Sequence, residues 1–531
     1  MRDNLIKKKT VVVNSISSVV AKVLNALVLV WLYQYLLKVK EISPSEYSIY
    51  PVLMSIMAFA PFLTSVLTSG IGRYVVEAYA RDDRKRISQI VSTIFLPLAA
   101  TASAILALGL LGAWYIDHIF SISPEYLWDA RIMMALLMFL LAVRLPLAPF
   151  TVGLFVRQKF VLSNIILLCT EFLRIGLLFI LLFAVSTRVL WIVTALVIAE
   201  TCGQMVTLAV SMRLVPSLRF RLKSIHWPLM KELVSFGSWN AMARLADAIR
   251  KSADLIILNH FGTALDVSNF HIGSVPLRHI QQGSVSATMP LQPVLTTMHA
   301  QNDKRRLGNT YLRGGRYALW VSLLLVVPLI IFRKELILVW VGETYLTAAT
   351  VMALLLALFP IQYGNVMLPK LSIAKGILRP WAIRSLIMQL VNLGLTIYLV
   401  GFLKMGAIGS ALSTFIILLV GEPLLQLPLG LRLSGVSLQR WLRQTLIPGF
   451  VPGLSGAVVW FGCGALVRPD SWISLIACGI CGAVVYLIVL FTVALQPLDR
   501  KDLLSAIKHI QSRIQKMYRS TPLKIIAEPN E

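Results

Sequence analysis

The apolar residues of this chain fall in runs of about 20, the length that crosses the hydrocarbon core of a bilayer as a helix. Fourteen such segments can be placed, at about 11–37, 47–77, 89–115, 132–155, 161–184, 189–212, 232–261, 266–299, 315–332, 345–369, 381–403, 406–430, 444–466 and 471–496. Segments seven and eight are much more polar than the rest. The pattern predicts an all-α polytopic membrane protein of about 14 transmembrane helices, with no stretch between them long enough for a separate soluble domain. The run after MRDNLIKKKT is too long and too polar for a cleaved signal peptide, so it is expected to be the first span.

Charge adds orientation. The 531 residues are 57% hydrophobic and only 14% charged, yet the net charge is +26. The Lys and Arg sit in short clusters between apolar runs, which excludes a nucleic-acid-binding reading and matches positive-inside topology. With the N-terminus, the even-numbered loops and the tail placed inside, and with Arg73, Arg316 and Arg384 at inner span ends counted there, the inside carries 35 Lys/Arg. The outside loops carry 8 and the spans 7. Both termini are therefore expected in the cytoplasm. The outside loops are short, and the longest, Asp117 to Arg131, is rich in aromatics; a membrane glycan-assembly enzyme usually needs a larger outer loop for its chemistry. The tail from Asp499 to Tyr518 has Leu503, Ile507, Ile510, Ile514 and Met517 at heptad spacing. It reads as a basic amphipathic helix on the inner leaflet or as a solvated tail helix. The five cysteines (Cys169, Cys202, Cys463, Cys478, Cys481) all fall in predicted spans, and the C-x-x-C of Cys478 and Cys481 lies in an apolar helix with no His or acidic partner. They are read as small membrane-helix residues, and no metal site or cofactor is expected.

An internal repeat divides the chain. Ala80 to Ile87 and Ala300 to Leu307 both read A-x-x-D-basic-basic-R-aliphatic, and Ala21 to Asn25 parallels Ala243 to Asp247 at nearly the same offset. The matches lie six spans apart. Six is even, so the two halves share one orientation and are related by an axis along the membrane normal. The expected organisation is an N-terminal lobe over 1–222, a C-terminal lobe over 223–440, an extra helix pair over 441–497 and a tail over 498–531.

Charge at membrane depth is costly and marks candidate sites. Span one carries a polar stripe with Asn14, Ser18, Lys22 and Asn25. In span seven, Asn240, Arg244, Asp247, Lys251 and Asp254 fall within roughly an 80° arc, flanked by Arg250. Span eight places His271, Ser274, Arg278, Gln281 and Gln282 on one face, with Pro276 as a candidate kink. Such faces line a wet cavity or pair with other protein groups. Lys22, Arg244, Arg250, Lys251 and Arg278 outnumber Asp247 and Asp254, so the cavity expected between the lobes is cationic and suits phosphate or pyrophosphate. Asn25, Ser274, Gln281 and Gln282 could bond sugar hydroxyls. The competing reading neutralises Arg244–Asp247 and Lys251–Asp254 as i, i+3 pairs, with Arg250–Asp254 as an alternative. Glu171–Arg174 is expected as an intrahelical pair, and Arg144 and Glu200 as a pair across the first lobe. Asp247, Asp254 and Glu200 are the ion-coupling candidates.

The stretch Gly70-Ile71-Gly72-Arg73-Tyr74, the basic loop Arg81 to Arg86 and the segment Pro290 to Arg306 resemble the multidrug/oligosaccharidyl-lipid/polysaccharide exporter superfamily. Within it the chain looks like the polysaccharide-transporter branch, the Wzx-type flippases, over roughly residues 10–430. The span count is similar to that of MurJ-type lipid II flippases, where an extra helix pair forms a groove for the lipid tail. The resemblance implies translocation of a polyprenyl-pyrophosphate-linked oligosaccharide across the bacterial inner membrane by alternating access, rather than catalysis. The implied partners are that anionic glycolipid, membrane lipid and polysaccharide-assembly proteins. The rivals are a multidrug cation exporter, for which a cationic cavity is unsuited, and a membrane glycan-assembly enzyme.

The charge distribution predicts that fluorescent-protein fusions at either terminus will be bright in the cytoplasm, while alkaline phosphatase fused after Arg131, Arg188 or Lys404 will be active. The reverse pattern would refute this topology.

Overall fold

The computed structural model describes residues 28, 30–59, 62, 71–157, 159–288, 291–495 and 499–500. All regular structure among them is helical. In lipid a chain has to satisfy its backbone hydrogen bonds within the segment, and runs of Leu, Ile, Val and Ala do so as helix. The elements used below are α1 (Ile49–Met57), α2 (Ile71–Ala80), α3 (Arg84–Trp114), α4 (Leu127–Leu147), α5 (Phe160–Ile180), α6 (Leu190–Leu214), α7 (Trp227–Phe261), α8 (Ala264–Thr288), α9 (Leu291–Ala300), α10 (Lys304–Ile331), α11 (Arg333–Trp340), α12 (Thr347–Ala357), α13 (Arg379–Thr396), α14 (Gly406–Gly421), α15 (Ile447–Val467) and α16 (Trp472–Val489).

Among the described residues 10 helical segments are long and apolar enough to cross a membrane. They coincide with expected spans three to six and nine to fourteen. α7 and α8, with 35 and 25 residues, are long enough but less apolar. Their position in the fold explains the difference, since they pack at the centre against α1, α12, α13 and α14 rather than facing lipid alone. Most of the first expected span lies outside the described residues, as does the amphipathic tail beyond Arg500. Two boundaries differ from the sequence reading. The expected 266–299 span divides into α8 and α9, while Pro276 sits inside a continuous α8. α3 begins at Arg84, before the apolar run, because Asp83 caps it.

The repeated loop motif takes the same backbone path twice. Asp83 and Asp303 cap α3 and α10, accepting from the Arg86 and Arg306 amides at 2.8 and 2.9 Å. Each cap follows a left-handed residue, Asp82 (φ 51°) and Asn302 (φ 55°), a conformation that Asn and Asp tolerate best among non-glycines. The Asp83 and Asp303 amides turn back to Ala78 and Met298, again 220 residues apart.

The large apolar cluster joins both halves at the charge-poor end, where Leu36, Tyr47, Ile116 and Val189 pack with Leu258, Val267, Trp340 and Tyr345. Hydrogen bonds reinforce it. Lys38 Nζ donates to the Leu338 and Val339 carbonyls at 3.0 Å, and Trp340 Nε1 donates to Val30 at 2.8 Å. Asn259 bonds both the amide and the carbonyl of Ser121. Toward the charge-rich end the described apolar residues separate into one cluster around Val75, Ile87, Leu145 and Leu218 and another around Leu295, Leu307, Leu371 and Trp441.

The extra pair α15–α16 packs on α10. Trp460 is fully buried against Gly456 and Gly482 and donates to the Gly479 carbonyl at 3.0 Å. The Tyr486 hydroxyl donates to Trp320 O at 2.7 Å. Just past α16, the Asp499 carboxylate is wholly buried between Arg313, Arg316 and the Tyr317 hydroxyl of α10. Arg316, counted from the sequence as an inner-end cation, is thus a structural partner of the segment after α16. Breaking such a buried pair strands a charge, at a cost of about 3–5 kcal/mol.

Close helix approach depends on Gly315, where a β-carbon would overlap the Gly364 carbonyl. Gly315→Val is expected to destabilise the protein by roughly 1–3 kcal/mol, read as a lower midpoint in detergent thermal melts. Gly462→Ala, at a position open to its surroundings, should leave the midpoint unchanged; equal midpoints for both variants would refute the packing argument.

Candidate functional site

The seam between the halves is built by the start of the second predicted span and by α8, which meet at equivalent repeat positions. Tyr47 and His271, 224 residues apart, share a hydrogen bond of 2.9 Å between the hydroxyl and Nδ1, and both are buried. Tyr33 stands edge-on to both rings at 5.9 Å, and Tyr50 stands edge-on to His271 at 6.0 Å. One helical turn or two further along α8 comes Arg278. Its Nη2 donates to the His271 carbonyl at 3.0 Å and to Ser274 Oγ at 2.7 Å. Tyr33, Tyr47 and Tyr50 all lie within electrostatic reach of this guanidinium. Arg174 of α5 lies within electrostatic reach of two of these phenols, Tyr33 and Tyr50. It lines a small cavity with Tyr50, Leu32 and Ile192.

The described candidate residues on α7 have different partners. Arg250 pairs with Asp247 one turn away, and both are half-exposed. Arg250 also lies near Tyr363, which α8 reaches through Ser284. Arg244 is exposed. Asp254, two turns on from Asp247, meets α13, where Thr396 Oγ1 donates to its Oδ1 at 3.2 Å. Thr396 continues to Ser413 Oγ at 2.6 Å, and Ser413 donates to Asn392 Oδ1 at 3.2 Å. α7 packs on α1 on one side and on α13 on the other. Gln281 is partly buried and Gln282 is exposed. Lys22 and Asn25 lie outside the described residues, and so do the side chains of Lys251 and Asn240.

Of the three ion-coupling candidates, two have arginine partners. Asp247 has Arg250, not the Arg244 that the i, i+3 reading placed there, and Glu200 of α6 lies 3.7 Å from Arg144 of α4. The competing reading paired Asp254 with Lys251 or Arg250; its partners among the described residues are hydroxyls, and the Lys251 side chain lies outside them. Glu171 and Arg174 form the expected intrahelical pair at 2.6 Å. Among the described residues no group of three His, Cys, Asp or Glu could hold a metal.

Sequence reasoning missed the phenols. Tyr33, Tyr47 and Tyr50 are ordinary interfacial aromatics in sequence, and only their meeting with α8 makes them a cage. The signal available was weak: His271 and Tyr47 stand nearly one repeat offset apart.

The model of the family described as "Polysaccharide biosynthesis protein" matches residues 8–299, more than half of the chain. A membrane protein of Bacillus subtilis (strain 168), EpsK, described as uncharacterized, is 22% identical over 94% of this chain and 99% of its own. Among solved structures, the lipid II flippase MurJ in an inward closed conformation is similar with a TM-score of 0.68 at 16% identity. That match covers 90% of this chain and 98% of that one. An inward-facing multidrug resistance MATE transporter is similar with a TM-score of 0.60 at 13% identity, over 79% of this chain and 98% of that one. The fold is therefore that of the MurJ and MATE transporters, and the chain belongs to the polysaccharide biosynthesis protein family, in the polysaccharide-transporter branch of the multidrug/oligosaccharidyl-lipid/polysaccharide exporter superfamily.

Proposed function

We propose that this protein is a flippase that carries a polyprenyl-pyrophosphate-linked oligosaccharide across the bacterial cytoplasmic membrane, with both termini in the cytoplasm and without catalysing a covalent step. The lobes are residues 1–222 and 223–440, with 441–497 as an added helix pair that moves with the second lobe and 498–531 as its tail. The observation that carries the reading is Arg278, a guanidinium held at the seam between the halves. Its Nη2 donates to two protein oxygens, and among the described residues the rest of its fork makes no hydrogen bond, which suits it to meet an anion. Bringing a diphosphate to mid-membrane requires compensating positive charge, and Arg278, Arg250, Arg244 and Lys251 lie on the two helices that line this seam, with Lys22 and Asn25 on span one completing the set. Gln281 and Gln282, further along α8, suit sugar hydroxyls.

The cross-half cluster at the charge-poor end, set against separate clusters at the other, supports a state closed to the outside. Translocation then needs the Tyr47–His271 contact to part while the halves close at the opposite end, the rocking expected of repeat-built carriers. Asp254, with Thr396 and Ser413 around it, is the coupling site in this scheme, binding a proton or sodium ion.

Neutralising Arg244 and Lys251 together, or Arg278→Gln alone, is expected to abolish complementation of a flippase-null strain while protein level in the membrane holds. Unchanged complementation would defeat the cationic-seam reading, and acquired sensitivity to organic cations in place of a glycan defect would favour the multidrug exporter. The closed seam is tested separately. Tyr47→Phe and His271→Phe, singly and together, should show a coupling energy of about 1 kcal/mol in a thermal-stability cycle. Additive effects would show that the pair does not hold the halves.

A further inference from the structure

Deep in the second half lies a carboxylate that the translocation scheme does not use. Glu422 opens a π-helical turn, Glu422–Gln426, that follows α14. It is 5% exposed. Asn365 Nδ2 donates to its Oε1 at 2.9 Å, and Asn365 Oδ1 in turn accepts from the Tyr311 hydroxyl of α10 at 2.6 Å. All three side chains are buried. The helix after the turn presses on this chain of bonds, because a β-carbon at Gly430 would overlap Tyr311 and Asn365. One turn from Glu422, Gln426 donates to Ser385 Oγ at 3.2 Å. Its Oε1 is buried with no hydrogen-bond partner among the described residues. π-turns inside membrane helices recur at functional sites, because they free a carbonyl and shift the side-chain register.

We propose that Glu422 is a proton-binding site of the second half, distinct from Asp254. A buried carboxylate needs its charge compensated, and the surroundings determine what can do it. On the elements packed around it the titratable and charged side chains include Tyr311 on α10, Tyr363 beside Asn365, Lys370 and Lys375 in the segment after it, Arg379 and Arg384 on α13, and Arg432 in the helix that follows; Arg313, Arg316 and Tyr317 of α10 are engaged by Asp499. Tyr311 reaches the carboxylate only through Asn365. Tyr363 packs against Phe359 with the rings tilted by 45°. Arg384 donates to the Leu425 carbonyl at 2.6 Å. No described cation forms an ion pair with Glu422. A hard metal ion is equally ill served, since it takes about six oxygens and Asn365 Oδ1 already accepts from Tyr311. A proton needs only the carboxylate: it adds to one oxygen of Glu422 and leaves from the same group, and no other bond changes. The site is separated from the Asp254 group by Met388, whose side chain fills the place of a β-carbon at Gly421. Asp254 lies on α7 and Glu422 just past α14, each against α13.

The inference deepens the translocation reading by naming a proton as one coupling ion, and two independent measurements keep them apart. In the first, the full-length protein in lipid nanodiscs is acidified while the infrared carbonyl stretch of protonated carboxylic acids is followed. Wild type and Asp254→Asn should show a band that is insensitive to sodium, and Glu422→Gln, which keeps the shape and the Asn365 contact, should lack it. Identical spectra for wild type and Glu422→Gln overturn the proposal. Should Glu422→Gln fail to fold, Tyr311→Phe decides, because loosening Asn365 should shift the same band; no shift overturns it. In the second, proteoliposomes carry a polyprenyl-pyrophosphate-linked sugar under an imposed pH gradient. Glu422→Gln should lose the stimulation by the gradient while gradient-free exchange persists, and retained stimulation overturns the coupling role. If wild type moves no glycolipid, the translocation reading fails and the infrared band still decides the proton site.

Discussion

The cost of holding charge away from water governs the arrangement of this protein. An isolated ion moved into a medium of low dielectric costs on the order of 20 kcal/mol by the Born estimate, far more than any single packing contact returns. The deeply placed polar groups described above are accordingly matched. Asp499 is enclosed by Arg313 and Arg316, Glu171 pairs with Arg174, and Glu200 lies 3.7 Å from Arg144. Arg278 leans on its own helix, taking a carbonyl and a serine hydroxyl as partners. Asp254 and Glu422 are served by hydroxyls and an amide instead of cations among the described residues. The first kind of match pairs opposite charges; the second leaves the charge of the buried group to neutral dipoles.

The repeat supplies the frame in which these groups work. Two loops with the same cap, the same left-handed residue and the same return bond start α3 and α10 in equivalent ways. Elements close to the axis relating two such units meet their own counterparts, as Tyr47 and His271 do. A contact of that kind is shared by both units. The buried Asp499 clamp ties the segment after α16 to α10.

Much of the fold was legible in the chain. Runs of apolar residues marked the spans because lipid offers the backbone no other partner, and the loop motif marked the repeat because a capped helix start needs few, recognisable residues. The intrahelical pair Glu171–Arg174 was legible for the same local reason. The cross-helix pair Arg144–Glu200 could be anticipated only because few charges lie at that depth. Less legible were the partners on α7. A helical projection places Asp247 and Asp254 on one arc, yet one pairs along its own helix with Arg250 while the other turns toward Thr396. Glu422 stood visible as an acid in an apolar run, but nothing around it in sequence pointed to Asn365 or Tyr311, 57 and 111 positions away.

By itself the sequence determined the class of protein, the order of the apolar segments, the charge asymmetry between their ends and the repeated loop motif. These follow from local composition and periodicity, which act within a few turns of helix. The tertiary structure alone decided which polar groups meet: the phenols near Arg278, the Thr396 and Ser413 hydroxyls near Asp254, and Asn365 and Tyr311 near Glu422. Those depend on which helices become neighbours, and side chains brought together across tens or hundreds of residues leave no periodic trace along the chain.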